Sequence, residues 1–223
     1  MSNPPTPPRP YTAVLWDFGG VILSSPFEAF NRHEVDAGLP PDFIRGVNAT
    51  DPHTNAWAKL ERSEVSLEEF DLLFAEESRR LGHEIRGATI LDLLHGEIRP
   101  EMVEALRRVR AAGLATACLT NNVVSGDDTQ HEDPTGRRER VAEVMALFDV
   151  VVESSKVGIR KPETRFYEIA CEQLGVQPSE CVFLDDLGIN LKPAKAMGMT
   201  TIKVLNADQA LSDLEDVLAI PLR

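Results

Sequence analysis

Three aspartates stand where a folded chain can use them for chemistry. Asp17 directly follows an apolar run and precedes two glycines, and the pair Asp185 and Asp186 directly follows another apolar run. A carboxylate in such a position can act as a nucleophile or hold a metal ion. Adjacent carboxylates repel each other unless a cation neutralises them, and oxygen ligands of this kind suit Mg²⁺. The pattern predicts a nucleophile beside a magnesium site, although each aspartate alone also fits a capping or solvated turn.

Three further polar residues are candidates for binding an anion. Thr120 and Asn121 follow an apolar run, and a hydroxyl, an amide and turn N–H groups can hold phosphate oxygens. Lys161 precedes a proline at the start of a predicted helix, where its charge can offset that of a nucleophile and a phosphate. Lys156 and Arg160 are alternative cations in the same segment. Without a functional role, Thr120 and Asn121 would form a polar turn at the end of a strand, and Lys161 would belong to a solvated basic loop.

The elements that must position these residues are strands alternating with helices. Five short apolar runs predict buried strands: Tyr11–Trp16, Leu114–Leu119, Val150–Glu153, Cys181–Leu184 and Thr200–Val204. Helical patterns precede all but the first of them: Glu101–Ala111, Arg138–Leu147, Thr164–Leu174 and Leu191–Met197. This alternation predicts an α/β fold with a Rossmann-like parallel sheet. The carboxyl ends of parallel strands share one edge, so the fold should bring the candidate residues together there.

The chain divides into three parts. Residues 1–10 contain five prolines and no apolar stretch, which predicts a disordered tail and not a signal peptide. Residues 11–23 and 99–223 form the predicted α/β core, and Ser125–Arg138 is a predicted mobile loop. Residues 24–98 lack buried strands, but Phe27–Ala37 and Ser66–Leu81 read as amphipathic helices. We therefore expect a helical insertion that lies over the site as a cap.

Composition limits the partners of the chain. It has 223 residues, 43% of them hydrophobic, and a net charge of −13. Such an acidic chain is not expected to bind nucleic acid or anionic membrane, because both require basic surface. No run approaches the about 18 apolar residues of a membrane span. The three cysteines fit inert core thiols, so we expect a cytoplasmic protein. We expect a monomer or homodimer whose partner is a small molecule, and the resemblance described next implies that this molecule is phosphorylated.

Four segments resemble, in order, the motifs of the haloacid-dehalogenase-like hydrolases. They are Trp16-Asp17-Phe18-Gly19-Gly20-Val21, Leu119-Thr120-Asn121-Asn122, Val157–Glu163 and Val182-Phe183-Leu184-Asp185-Asp186. The stretch from Asn190 to Met199 is similar to the phosphatase domain at the amino end of soluble epoxide hydrolases. So are Phe148-Asp149 and Glu153-Ser154. Each motif is weak alone, but four in sequence order, each where the fold needs it, are specific.

The resemblance implies a role for each candidate residue. Asp17 would attack phosphorus and form an aspartyl-phosphate, and Lys161 would tie Asp17 to the transferred group. Mg²⁺ would be held by Asp17, by the backbone carbonyl of Gly19 and by Asp186. Thr120 and the Asn121 amide would bind the phosphoryl oxygens. Asp185 would lie behind the metal ligands without contacting the ion, and Asn190 would brace the metal site.

Gly19 departs from the pattern of the family's phosphatases, most of which carry a second aspartate there as general acid and base. Loss of a general acid typically costs about 10²–10⁴-fold in rate. The chain is therefore expected to be a magnesium-dependent phosphatase that is slow on ordinary alkyl phosphates. One alternative is a weakly active or inactive member that binds a phosphorylated ligand or a protein. The other is a dehalogenase-like C–X hydrolase, which needs no acid at position 19 but has no use for the Asp185-Asp186 pair.

Overall fold

A parallel sheet of five strands forms the centre of the described chain. The computed structural model describes residues 11–94, 96–122 and 136–223. Its strands are β1 (Ala13–Trp16), β2 (Ala115–Thr120), β3 (Val150–Glu153), β4 (Cys181–Asp185) and β5 (Thr200–Lys203). Their order across the sheet is β3-β2-β1-β4-β5, with every neighbouring pair parallel. The predicted Rossmann-like α/β class is confirmed, and each strand lies within about two residues of its predicted bounds.

Two predictions fall outside the described residues. These are the disordered tail at residues 1–10 and nearly all of the loop predicted at Ser125–Arg138. The structure resumes at Gly136, and the helix that follows begins one residue earlier than predicted, at Arg137.

Short helices fill the chain between β1 and β2. They are α1 (Phe27–Asp36), α2 (Phe43–Ala49), α3 (Ala56–Glu61), α4 (Leu67–Arg80) and α5 (Gly87–Asp92). Buried side chains from all five, including Phe30, Phe70 and Phe74, form a hydrophobic cluster separate from those of the sheet. The two helices expected here correspond to α1 and α4, and Ser66 and Glu69 form the expected capping box. The other three have only six or seven residues, too few to show a repeating apolar face.

The remaining helices come after residue 98 in the chain and flank the sheet. They are α6 (Pro100–Ala111), α7 (Arg137–Met145), α8 (Ser154–Val157), α9 (Thr164–Leu174), α10 (Gly188–Ala196) and α11 (Ala207–Leu218). Trp16 and Leu184 pack on one face of the sheet with α6 and α11. Leu15 and Phe183 pack on the opposite face with α9 and α10. Side chains alternate along a strand and both faces of the central strands are covered, so these strands are mostly apolar.

The cysteines agree with the expectation of core thiols. Cys118, Cys171 and Cys181 are all free and buried, and burial raises the pKa of the Cys118 thiol above its usual range. Within the described ranges, no helix has the length and hydropathy to cross a membrane.

Candidate active site

Asp17 lies at the carboxyl end of the central strand β1. Its backbone N–H donates to the carbonyl oxygen of Leu184 at 2.9 Å, so β4 fixes the position at which the chain leaves the sheet. The side chain is buried, with Oδ1 accepting from the backbone N–H of Phe18 at 2.6 Å. The same oxygen lies 2.8 Å from Nζ of Lys161. The carboxylate is therefore held in one orientation by a backbone donor and a cation.

Lys161 is the cation of the site. Its side chain is 1% exposed, and Nζ lies 2.8 Å from both Asp17 Oδ1 and Asp185 Oδ2. Burial alone lowers the pKa of a lysine, but the two carboxylates outweigh it and raise the pKa of Lys161 above its usual range. The two alternative cations lie elsewhere. Lys156 is exposed and pairs with Glu153, whereas Arg160 contacts a carboxylate of the helical insertion.

Asp185 is fully buried at the end of β4 and is saturated with donors from the protein. Oδ2 accepts from Lys161 Nζ at 2.8 Å, and Oδ1 accepts from the backbone N–H of Leu187 at 2.8 Å. Asn190 Nδ2 lies 3.1 Å from both oxygens. Asn190 is itself fixed because its carbonyl oxygen accepts from the Tyr167 hydroxyl at 2.7 Å. Asp185 thus orients its neighbours, and Asn190 stands where a brace is expected.

Asp186 is the least saturated of the three carboxylates. Its side chain is partly buried, and Oδ2 accepts one side-chain hydrogen bond, from Ser25 at 3.3 Å. The carboxylate lies against the backbone of Gly20, where an added Cβ would stand 2.2 Å from Oδ2. Gly20 also has a φ of +74°, so both its conformation and this close approach require glycine. The two chain segments that bear Asp17 and Asp186 are thereby held in direct contact.

Thr120 and Asn121 lie beside this cluster at the end of β2. Thr120 is buried. The Asn121 side chain accepts from the backbone N–H of Lys161 at 2.9 Å and donates to the Lys161 carbonyl at 3.0 Å. This reciprocal pair fixes the backbone that carries Lys161. The side-chain amide of Asn121 therefore positions the lysine, and its second described partner is Glu61 at 3.3 Å.

Glu61 is a residue of the site that sequence reasoning missed. It lies at the end of α3, is 5% exposed, and places Oε2 2.5 Å from Nε of Arg160. Trp57 Nε1 donates to its Oε1 at 3.0 Å. Burial raises the pKa of Glu61, and the charge of Arg160 lowers it in part. The sequence signal is weak, because an acidic residue that ends a six-residue helix looks like ordinary surface.

Three carboxylates and one ammonium group share the centre of the site. One oxygen from each of Asp17, Asp185 and Asp186 lies within 4.8 Å of the others. Burial raises the pKa of Asp17 well above its usual range, Lys161 lowers it, and the other two aspartates raise it further. Burial and Asp185 raise the pKa of Asp186 to about 6. Three negative charges against one positive charge leave the fully ionised site in need of a further cation.

Gly19 occupies the position at which the motif resemblance implies an aspartate in most phosphatases. Its φ of −68° and ψ of 134° are open to any residue. A Cβ built there meets no described atom within 4 Å. Neither backbone strain nor crowding therefore requires glycine at this position, in contrast to Gly20.

The order of these residues along the chain matches a known family. A family model described as haloacid dehalogenase-like hydrolase matches residues 11–198. The chain belongs to the haloacid dehalogenase-like hydrolases. The resemblance drawn from its four motifs is thereby confirmed.

Curated relatives of the chain include two proteins that are much longer than it is. The chain is 37% identical to acyl-CoA dehydrogenase family member 10 of Mus musculus, over 96% of this chain and 20% of that protein. It is 33% identical to bifunctional epoxide hydrolase 2 of the same species, over 92% of this chain and 38% of that protein. The chain thus spans only a fifth to two fifths of these relatives. It is also 32% identical to phosphatase MT3486 of Mycobacterium tuberculosis, over 89% of each protein.

Solved structures of this family share the fold. One is a haloacid dehalogenase-like enzyme of Bacteroides thetaiotaomicron in complex with magnesium and inorganic phosphate. It has a TM-score of 0.57 and 18% identity, and covers 92% of this chain and 98% of its own. At 18% sequence identity, this similarity shows a shared fold and does not assign a function. The roles predicted for Asp17, Lys161, Thr120, Asn121 and the other site residues stay predictions, although the structure places these residues together.

Proposed function

We propose that this haloacid dehalogenase-like hydrolase is a magnesium-dependent phosphatase that acts on a small phosphorylated metabolite through an aspartyl-phosphate at Asp17. The observation that carries the proposal is the cluster of Asp17, Asp185 and Asp186, of which Asp17 and Asp185 are buried and contact Lys161. A cation site beside a nucleophile is the arrangement that a phosphoryl group requires. The phosphatase among its relatives supports the same activity.

The residues present fit a magnesium ion. Mg²⁺ prefers oxygen ligands, takes one or two carboxylates and keeps several of its waters. Asp17 and Asp186 are assigned as its carboxylate ligands and the Gly19 carbonyl as a third, because Asp185 is already saturated by Lys161, Asn190 and a backbone N–H. When bound, the ion supplies positive charge that polarises the phosphoryl oxygens and neutralises the carboxylates.

The chemical steps belong to residues of the chain. A carboxylate oxygen of Asp17 forms a bond to phosphorus, and the bond from phosphorus to the leaving oxygen breaks, with that oxygen keeping the electron pair. Lys161, held 2.8 Å from Asp17, stabilises the charge that builds on the transferred group. The Thr120 hydroxyl and the backbone N–H of Asn121 are assigned to the phosphoryl oxygens, because the Asn121 side chain is engaged with Lys161. Water then hydrolyses the aspartyl-phosphate and restores Asp17.

Gly19 sets the substrate range of the proposed enzyme. With no carboxyl group at this position, the leaving oxygen receives no proton from it as the bond breaks. Such a loss costs about 10²–10⁴-fold with a basic leaving group. Acyl and aryl phosphates, whose leaving oxygens are weakly basic, are therefore expected to be the better substrates.

We assign residues 24–98 to a cap that covers this site and excludes water. The cap contacts the core beside the catalytic cluster through Glu61, which reaches both Arg160 and Asn121. Arg160 Nη1 also donates to the carbonyl of Pro52 at 2.8 Å, and Ser63 Oγ donates to the Ser155 carbonyl at 3.2 Å. These contacts support a cap that closes on the segment that carries Lys161.

Phosphate release from p-nitrophenyl phosphate and acetyl phosphate tests the proposal. Wild-type protein should release phosphate with Mg²⁺ and not with excess EDTA. Asp17→Asn should abolish release, whereas the exposed surface variant Asp216→Asn should behave as wild type. Release that persists in Asp17→Asn, or no release by wild type from either compound, would refute the proposal.

Gly19 also favours two other activities. A member without a general acid can serve as a binder of phosphorylated ligands, and calorimetry would then show binding of a phosphoester that the protein does not hydrolyse. A dehalogenase needs no acid at position 19, and would release halide from 2-haloacids in the presence of EDTA. The carboxylate pair Asp185 and Asp186 favours the phosphatase over the dehalogenase, because two adjacent buried carboxylates need a cation.

A further inference from the structure

We propose that a cavity beside Asp186 binds a second anionic group, carried by the leaving part of the phosphorylated substrate. The inference rests on the proposed phosphatase function and deepens it, since it names the class of substrate. Among phosphomonoesters whose leaving oxygens are equally basic, those that also bear a carboxylate or another phosphate are the preferred substrates.

The cavity lies between the sheet edge and the helical insertion and has a volume of about 480 Å³. Asp186 and Lys203 line it from the ends of β4 and β5. Phe27 and Arg45 line it from α1 and α2, and Arg99 lines it from the segment that returns to the core. Because Gly20 and Asp186 belong both to the cavity wall and to the catalytic cluster, the cavity opens directly beside the proposed phosphoryl site.

The wall of the cavity is positively charged although the chain is strongly acidic. Arg45, Arg99 and Lys203 face a single acidic residue of the lining, Asp186. Three positive charges against one negative charge contrast with the net charge of −13 for the whole chain. Asp186 is also the residue assigned to Mg²⁺, so it is not available to neutralise the cations of the lining, of which Arg45 alone has a described carboxylate partner, Asp42. A cleft of one sign with apolar walls concentrates ligands of the opposite sign.

The three cations retain capacity to bind a ligand. In the part of the chain that the structure describes, Lys203 has no carboxylate partner within 4.0 Å, and the side chain is exposed. Arg99 is anchored through Nη1 to the carbonyls of Gly20 at 2.9 Å and Val21 at 3.4 Å, and these bonds use one of its nitrogens. A guanidinium carries five N–H donors in all.

Arg45 is placed by two contacts within the insertion. Its guanidinium carbon lies 3.9 Å from the centre of the Phe27 ring, and Nη1 lies 3.2 Å from the carboxylate of Asp42. Nε of Arg45 is buried without a hydrogen-bond partner among the described residues. A cation stacked on a ring in this way keeps its in-plane donors for an anion.

Apolar side chains lie beside the cationic groups of the cavity. Phe27, Leu187 and Leu205 line the cavity, and Leu205 is 70% exposed. These side chains can contact the carbon skeleton that joins the two anionic groups of a substrate. The cavity therefore fits a short skeleton with a phosphate at one end and a second anion at the other.

Matched pairs of substrates test the proposal. 3-Phosphoglycerate and glycerol 3-phosphate differ only by a carboxylate in place of a hydroxymethyl group, and fructose 1,6-bisphosphate and fructose 6-phosphate differ by one phosphate. The wild-type kcat/KM should favour an anionic member by about tenfold, which is the value of a hydrogen bond to a charged group. The pair with the larger preference distinguishes a carboxylate from a phosphate. Equal kcat/KM values within both pairs would overturn the proposal.

Lys203→Met removes one charge of the cavity while keeping the length of the side chain. It should lower kcat/KM about fivefold for the member of a pair that has the second anion, and leave the member without it within about twofold, as expected for an exposed ion pair. Lys203→Arg should retain the preference, and Lys195→Met, an exposed lysine outside the cavity, should behave as wild type. Equal losses on both members of a pair would also overturn the proposal.

A binding measurement separates this inference from the proposed function. Calorimetry with Asp17→Asn should show that Lys203→Met weakens binding of 3-phosphoglycerate about fivefold, as the kinetic loss requires. Hydrolysis of p-nitrophenyl phosphate without any preference for anionic substrates would reject the cavity inference alone. No hydrolysis of any phosphoester, with no effect of Lys203→Met on binding, would reject both.

Discussion

Replacement of Asp186 by asparagine should stabilise the protein when no divalent cation is present. Asp186 is partly buried beside Asp185 and against the backbone of Gly20, with one described side-chain donor, Ser25. These surroundings raise its pKa from 3.8 to about 6, with burial as the largest cause and Asp185 as the second. Ionisation of Asp186 in the folded state is therefore unfavourable, and asparagine removes the charge while preserving shape.

The size of the effect follows from the pKa. At about 1.4 kcal/mol for each pKa unit, the rise from 3.8 to about 6 corresponds to about 3 kcal/mol. A carboxyl group with a raised pKa contributes stability below its unfolded pKa and loses it as pH rises through the folded pKa. The full cost is thus present above pH 6 and absent below pH 4. Loss of part of the Ser25 hydrogen bond reduces the gain to about 2 kcal/mol.

Thermal unfolding in EDTA measures this gain. At pH 8, Asp186→Asn should unfold about 4–8 °C above wild type, at about 2–4 °C per kcal/mol for a chain of this size. The difference should shrink as pH falls from 6 to 4. Added Mg²⁺ should stabilise wild type and not Asp186→Asn, because a ligand stabilises only the state that binds it. A variant no more stable than wild type at pH 8, or equally stabilised by Mg²⁺, would refute the reasoning.

Two further variants test the site. Gly19→Asp should fold, because the backbone angles at this position suit any residue and a Cβ has room. It should raise kcat on alkyl phosphates by about 10²-fold or more, with a smaller gain on acyl phosphates. A folded variant with no gain in steady-state kinetics would show that the missing acid does not limit the rate. Glu61→Ala should lower the free energy of unfolding by about 2–3 kcal/mol, since Arg160 and the indole N–H of Trp57 lose a buried acceptor. It should also lower kcat/KM, measured with p-nitrophenyl phosphate, because Glu61 contacts Asn121; unchanged denaturation curves and kinetics would contradict its positioning role.

The sheet is predictable because its central strands are mostly apolar and are followed by polar residues. The central strands β1, β2 and β4 are four to six residues long and almost wholly buried, so each appears in the sequence as a nearly continuous apolar run. Since parallel strands share one carboxyl edge, the sequence pattern by itself places Asp17, Thr120 and Asp185 close together. The position of the strand ends does not distinguish Lys161 from Arg160, which is equally basic. Only the resemblance of the surrounding motif selects Lys161.

Other features depend on tertiary contacts that leave no local signal. The helices α2, α3 and α5 are too short for their apolar residues to repeat, and the aromatic cluster of the insertion stabilises them instead. Glu61 becomes a site residue only because α3 packs against the segment that contains Arg160. The Asn121 side chain binds the backbone of Lys161, 40 positions along the chain, a pairing that no pattern of spacing reveals. Contacts between distant segments therefore decide the second layer of the site.

The central claim is that Asp17 becomes covalently phosphorylated. The direct measurement is acid quenching of the protein within milliseconds of mixing with Mg²⁺ and acetyl phosphate, followed by reduction with borohydride and peptide mass spectrometry. Borohydride reduces an acyl phosphate to an alcohol, so the account predicts conversion of Asp17, and of no other carboxylate, to homoserine. Phosphate release at an undiminished rate without this conversion, or conversion at another aspartate, would contradict it.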